Sequence, residues 1–401
     1  MNSNTPAQTA SRTTPARKKA SGKKNAGNID IWLASIAFLL LVFGLVMVFS
    51  ASSPIALRKF DDPTYYALRN GVFALIGIIF MAVISRTPVP IIRKWGRVGF
   101  WLTMFMMVIV LIPGVGLEGG GARRWLNMQF FTLQPSEPFK VMLVLYIAHL
   151  LAENPDRVQH LKEGVLPILG IFAMAAVLLL SEPDFGTTVI SGAIVIGMIF
   201  IAGVPSSWVV ALISGAIPLA VFGIVMAPYR FRRATSFLDP WDDPLDSDFH
   251  LVQSLLSFGN GGLHGTGLGE GQQKQFYLPE AHTDFIFAII GEELGFLWIF
   301  LVISLFALLI WRAFSIARFS KDLFVRLAAT GLSILLGSQA IANMGMVMGL
   351  LPPKGLTLPL VSYGGTSLII TLAAIGLLLS FSRTIDPKDR VGKTLGRRAT
   401  S

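Results

Sequence analysis

YRFRRATSFLDPWDDPLDSDFHLVQSLLSFGNGGLHGTGLGEGQQKQFYLPEAHTDFIFAIIGEEL, residues Tyr229–Leu294, is the one long polar excursion in an otherwise apolar chain. Its last segment carries Asp284 onto the first turn of an apolar run long enough to cross a bilayer. A carboxylate so placed sits where water meets lipid, fed by a loop rich in Gly, Arg and aromatic residues. An ionisable group at a membrane helix end is a functional candidate by default. Apolar residues make up 53% of the 401 and charged residues only 14%, against about 25% charged in soluble domains. The chain therefore reads as one polytopic helical membrane domain, with no soluble domain of its own.

Outward from that loop, apolar runs near the roughly 20 residues that a bilayer core requires recur at ten places. They cover about 31–51, 67–85, 97–113, 138–152, 164–181, 186–203, 208–227, 285–311, 323–350 and 366–382. The expected fold is all-α, with ten transmembrane helices and one long outer loop over about 228–283. The fourth run is short, as suits a helix tilted or covered by its neighbours. Net charge is +10, but the basic residues flank the spans and form no groove, so nucleic acid is excluded as a partner and the membrane is the partner implied. With the first residues inside, 22 of the 33 Lys and Arg fall on the inner side. The positive-inside rule then places both termini in the cytoplasm and the Tyr229–Thr283 loop outside. Residues 1–28, basic and Ser/Thr/Ala-rich without an A-x-A cleavage pattern, read as a disordered cytoplasmic tail. Residues 29–383 form the membrane domain and 384–401 a second cytoplasmic tail. There is no cysteine to staple the outer loop, and no internal repeat of the kind many transporters carry.

Four outer segments hold the candidate chemistry. In GGGARRWLNMQFFTLQPSEPFK (Gly119–Lys140), glycine backbone beside Arg123 and Arg124 suits close, bidentate contact with phosphate. Gln134–Glu137 then reads as a helix start with Pro and an acid in its first turn. SEPDFGTT (Ser181–Thr188) is a tight turn whose acids, Glu182 and Asp184, are solvated, or paired with Arg123 or Arg124, or hold a cation. In the long loop, Trp241 suits the membrane interface. Leu251, Leu255, Leu256 and Phe258 fit a short helix lying on the membrane surface, and GGLHGTGLGEGQQKQ has the look of a phosphate-cradling glycine loop. LLPPKGLTLPLVSYGGTS (Leu350–Ser367) is irregular backbone between apolar spans, which is tolerated at membrane depth only inside protein or beside a cavity. It is expected to fold back into the bundle mouth and aim Lys354, Ser362 and Tyr363 at the region of Asp284.

Together these segments resemble the SEDS (shape, elongation, division and sporulation) family. The resemblance is carried by RATSFLDPWDDP, by GLHGTGLGEGQQKQFYLPEAHTDFIFAIIGEELG and by LLPPKGLTLPLVSYGGTSLI, with RRW…QPSE and EPDFGT in support, and it extends from Ile29 to Phe381. ATSFLDPW, PEAHTD with Ala281 and the basic tail are more similar to the division member than to the elongation member. Three places depart from the usual pattern: His250 for Gln, Pro353 for Thr, and Glu270-Gly271 for Asn-Ser.

The resemblance implies a peptidoglycan glycosyltransferase of the bacterial cytoplasmic membrane, polymerising lipid II at the division septum. It implies a cognate class B penicillin-binding protein (the division transpeptidase FtsI) and other divisome proteins as partners. A divalent cation, Mg or Mn, is the expected cofactor, with no organic one. The family's catalytic aspartate is the one in HTDFIFA, Asp284. A positioned base assists attack by a sugar hydroxyl by roughly 10²–10⁴-fold, and the departing undecaprenyl pyrophosphate calls for positive charge. Arg123, Arg124, Lys140, Lys274 and Lys354 are the candidates for that charge, with Glu137, Ser362 and Tyr363 around the substrate. Glu292 and Glu293, eight and nine residues along the helix from Asp284, either tune the site or are structural partners of polar groups such as Gln339 and Asn343, the structural role being the favoured expectation. A lipid flippase would instead spread polar residues along a path through the membrane, and a pure scaffold would tolerate loss of Asp284.

Overall fold

A computed structural model of the chain describes residues 27–119, 122–129, 131–242, 249–275 and 278–385. The two expected tails lie almost wholly outside these residues. Thirteen α-helices are described: α1 Ile31–Phe60, α2 Tyr65–Arg86, α3 Val89–Val110, α4 Ser136–Glu153, α5 Leu166–Ser181, α6 Phe185–Ile201 and α7 Ser206–Val225, then α8 Pro228–Ser236, α9 Phe249–Gly261, α10 Ile286–Leu294, α11 Phe296–Phe319, α12 Leu323–Val347 and α13 Gly365–Ser382. Seven of these, counting the turn that leads into α5, are long and apolar enough to cross a membrane unaided. The other three expected spans are α3, α4 and α6. α3 is diluted by Arg93, Lys94 and Arg97, α4 carries acids and Lys140, and α6 has only 17 residues. α4 is short, as expected, and mostly buried by its neighbours.

Caps and glycines set the ends. Asp30 caps α1 by accepting from the Leu33 amide (3.2 Å), and Asp322 caps α12 through the Val325 amide (3.1 Å). The bundle closes on itself where the Asp30 amide donates to Ser382 Oγ and the Gly27 amide to the Arg383 carbonyl, both 3.0 Å. The start of α1 and the end of α13 thus share one face. On the opposite face Phe60 stacks on Tyr65, and Tyr66 packs on His282, two residues before Asp284. α12 is the axis, buried along most of its length against α4, α6 and α11. Of the helices long and apolar enough to span, α7 is covered least, with only Val209 buried.

Four differences from the sequence expectations bear on the site. Residues after α3 form a small antiparallel sheet, β1 Gly116–Gly119, β2 Ala122–Asn127 and β3 Thr132–Leu133 in that order, where an open loop was expected. The eighth span is two helices, α10 and α11, broken at Gly295 (φ 80°, ψ −176°). A side chain there would meet the Gly265 amide nitrogen at 2.4 Å, because the outer loop's backbone presses into the break. α10 also starts two residues after Asp284, so that residue precedes the helix. Finally, α9 forms but packs into the bundle through Leu251, Val252, Ser254 and Ser257, with Ser254 Oγ donating to the Val347 carbonyl (2.7 Å). The segment before α13 does dip into the bundle: the backbone of Leu360 and Val361 lies against Gly44 of α1, where a Cβ would sit 2.5 Å from the Leu360 oxygen. Its polar backbone is satisfied internally, Ser362 Oγ accepting from the Leu358 amide (2.8 Å).

Candidate active site

Asp284 sits in the turn ahead of α10, half-buried. Its position is fixed through the backbone, because Asn343 of α12 donates from one amide group both to the Asp284 carbonyl (2.8 Å) and to the Leu356 carbonyl. That fork staples the turn to the re-entrant segment. Gly355 then lies directly on the carboxylate, since a Cβ there would be 3.2 Å from Oδ2. Among the described residues no side chain hydrogen-bonds the carboxylate. Burial, and next Glu280, push its pKa up to about 7, with Arg233 of α8 opposing. Desolvation disfavours the charged form, so this acid is poised to exchange a proton near neutrality. His250, one of the departures from the family pattern, stacks on Phe285 at 5.8 Å.

Lys354 directly precedes Gly355 in sequence and is half-buried. Its ammonium lies 5.6 Å from the centre of the Phe185 ring. Gly186 makes the room: a Cβ there would be 2.5 Å from Lys354 Cε. Burial lowers the Lys354 pKa to about 8, with Asp184 opposing. The next station is the turn between α5 and α6. Arg124 donates from Nε to the Glu182 carbonyl (2.9 Å) and from Nη2 to the Pro183 carbonyl (2.7 Å), and Asp184 caps α6 through the Thr187 amide (3.0 Å). Asp284, Lys354 and Arg124 therefore line one connected region. Tyr363 frames it, its amide donating to the His282 carbonyl (2.9 Å) and its ring 5.3 Å from Tyr66.

The remaining candidates lie elsewhere. Arg123 and Arg124 are neighbours on a strand and point to opposite sides; Arg123 faces out, 3.6 Å from Glu118. Lys140 is 1% exposed, paired with Glu137 at 2.7 Å beside a cavity of about 10 Å³ that Gln339 and Thr371 also line. That is room for about one water. Ser362 serves its own segment's backbone.

Lys274 is buried at the far end of α10, 2.6 Å from Glu293, which also accepts from Ser50 Oγ and from the Gly269 amide (3.1 Å). Glu292 accepts from the Gln272 amide (2.9 Å) and the Gln273 amide (3.1 Å). The amides of Thr266 and Gly267 donate to the Glu292 and Glu293 carbonyls, at 2.9 and 3.0 Å. The glycine-rich loop therefore offers few amides to phosphate; it grips α10. Gly261 and Gly265 are small because a Cβ at either would fall within 2.1 Å of α10 carbonyl oxygens. Glu292 and Glu293 are structural, as expected, but their partners are this loop and α1, while Asn343 serves the Asp284 turn.

An apolar groove of about 500 Å³ opens between α3 and α5, lined by Trp101, Met104, Phe105, Val108, Met174 and Leu178 among others. It lies in the halves of both helices nearer the Asp284 face. Leu178 is one turn below Glu182, whose amide donates to its carbonyl (3.0 Å). The groove thus ends at the Arg124 turn.

A family model for FtsW, RodA and SpoVE, described as cell cycle protein, matches residues 31–386. The chain is 42% identical over 353 residues to a probable peptidoglycan glycosyltransferase FtsW of Geobacter sp. (strain M18), covering 88% of this chain and 96% of the relative. It is 44% identical to stage V sporulation protein E of Bacillus subtilis (strain 168), covering 88% and 97%. Among solved structures it is similar to a chain described under structural coordination of polymerization and crosslinking by a peptidoglycan synthase complex. That match has a TM-score of 0.73 and 28% identity, over 90% of this chain and 99% of that one. Thermus thermophilus rod shape determining protein RodA gives 0.67 and 26%, over 88% and 97%.

Proposed function

The chain belongs to the FtsW, RodA and SpoVE family of cell cycle proteins, and on that premise we propose that it is a peptidoglycan glycosyltransferase polymerising lipid II during septal wall synthesis. The observation that carries the reading is the carboxylate of Asp284: pinned through its own backbone by Asn343, raised to about 7, and lying against Gly355, the residue after Lys354. A base works best when its pKa lies near the working pH. Asp284 takes the proton from the 4-hydroxyl of the acceptor sugar as that oxygen attacks the anomeric carbon of the donor. The bond from that carbon to the phosphate oxygen breaks, and its electron pair leaves with undecaprenyl pyrophosphate. Lys354 and the Arg124 turn stabilise the charge developing on that group. The groove between α3 and α5 takes the polyprenyl chain and delivers the pyrophosphate to the turn at its head.

The reading places the Asp284 face outside the cytoplasmic membrane and both chain ends in the cytoplasm. The shared face of α1 and α13 supports this, as does the 22-of-33 distribution of basic residues. A class B penicillin-binding protein is the proposed partner, since a structural relative belongs to a complex coordinating polymerization with crosslinking; other divisome proteins would recruit the pair to the septum. The test is the purified protein with its cognate transpeptidase, lipid II and Mg²⁺ or Mn²⁺, glycan strands being read on a gel. Strands are expected from the pair. A well-folded pair that leaves lipid II unpolymerised across these conditions overturns the reading.

A further inference from the structure

Glu182 has no described use for its side chain. It is 0% exposed, and neither carboxylate oxygen has a hydrogen-bond partner. Buried carboxylates are normally matched, because an unmatched one is costly. Arg124 does not match it, spending two donors on the backbone carbonyls of Glu182 and Pro183. Asp184 commits Oδ1 to the Thr187 amide, and its second oxygen takes no hydrogen bond among the described residues. Arg124, Lys354 and Arg230, whose guanidinium lies 5.3 Å from the centre of the Phe185 ring, surround the turn, yet the Glu182 carboxylate takes no hydrogen bond from any of them. An arriving pyrophosphate adds at least two negative charges beside Glu182 and Asp184, which one divalent cation offsets.

Hard oxygen donors suit Mg²⁺ or Mn²⁺, and Mg²⁺ is commonly held by only one or two carboxylates together with substrate phosphates and water. Among the described residues no group of three or more His, Cys, Asp and Glu gathers, so a site completed by the substrate fits this chain better than an all-protein cage. We propose that Glu182 and Asp184 are the protein's ligands for a divalent cation whose remaining positions are taken by water and by pyrophosphate oxygens of the lipid substrate. The pyrophosphate part rests on the proposed glycosyltransferase reading; the two carboxylates do not. When bound, the cation supplies Lewis-acid stabilisation of the leaving oxygens. Arg124 orients the turn through its two carbonyls, and Lys354 holds the adjacent phosphate.

The test is a Mn²⁺ titration of the purified full-length protein, following the electron paramagnetic resonance signal of free Mn²⁺. The wild type is expected to withdraw one ion per chain below millimolar concentration. Glu182→Gln, which resembles the neutral acid in shape, should bind at least tenfold more weakly. Asp184→Asn should also weaken binding, and Asp284→Asn should bind as the wild type does. No uptake by the wild type at millimolar Mn²⁺ overturns the proposal, as does unchanged affinity in both Glu182→Gln and Asp184→Asn, each checked for folding by its Tm. Lost polymerisation in Glu182→Gln with unchanged Mn²⁺ affinity also sinks the cation assignment and leaves the glycosyltransferase reading standing. Normal Mn²⁺ uptake with no polymerisation by any variant or wild type strikes only the latter.

Discussion

The two ends of α10 carry acids in opposite condition. At the Gly295 end, Glu292 and Glu293 are fully buried and saturated: five donors from the outer loop and α1 converge on their four oxygens. At the other end the Asp284 backbone is held while its carboxylate is left without a donor among the described residues. A saturated acid is a rivet, whereas a carboxylate positioned through its main chain is available to react. The difference lies in where the donors point, since both ends are acids near the same short helix.

The comparison breaks first at Asp284. Asp284→Asn keeps the shape and removes the proton acceptor, so polymerisation should fall roughly 10²–10⁴-fold with Tm unchanged. Substantial polymer from the folded variant would make Asp284 another structural acid. At the opposite end, Lys274→Ala strands Glu293 in the interior without its ammonium. Losing one partner of a buried pair costs about 3–5 kcal/mol, so thermal unfolding should shift sharply down; an unshifted Tm would show that the clamp bears little. Asn343→Ala leaves two buried carbonyls without their donor, worth about 1–3 kcal/mol, and loosens the Asp284 turn. A lower kcat with little change in KM is the expected signature, and wild-type kcat would remove Asn343 from the positioning scheme.

The smallest effect is the response to pH. Asp284 must be ionised to accept a proton, and its pKa of about 7 makes the rate rise as pH climbs through that value. Lys354 must be protonated to hold phosphate, and its pKa of about 8 makes the rate fall above that value. The pH profile of kcat/KM should be a narrow bell with its summit between the two, about tenfold down a unit beyond either flank. Lys354→Arg should flatten the alkaline side. A profile flat from pH 6 to 9 would separate both groups from the rate.

Much of this was open to inspection in the sequence, for reasons that also mark the limit. Apolar runs announce spanning helices because every backbone group in lipid must be satisfied within its own helix. The same rule exposes the Leu350–Ser367 segment, whose polar backbone has to be lodged in protein. A lone glycine in an apolar run announces nothing, so the break at Gly295 emerged only with the Gly265 backbone against it. The role of the glycine-rich loop was hidden because its amides answer to acids some twenty residues downstream, a long-range pairing that local composition does not encode. Arg123 and Arg124 looked equivalent until β2 turned them to opposite sides. Asn343 donates to two carbonyls, and backbone acceptors leave no trace in residue identity.

The break at Gly295 also separates two mechanical tasks. A spanning helix answers to bilayer thickness by tilting, at a modest cost for each ångström of mismatch. α11, the 24-residue member of the pair, is the one long enough to meet that demand, and it packs on α12 and α1. α10 is tied sideways to α1, α9 and the outer loop, and joins α11 through one residue whose backbone breaks the helix. The bilayer thus sets the length of α11, while the place of the carboxylate at the far end of α10 is set by the outer loop, α9 and the Asn343 fork.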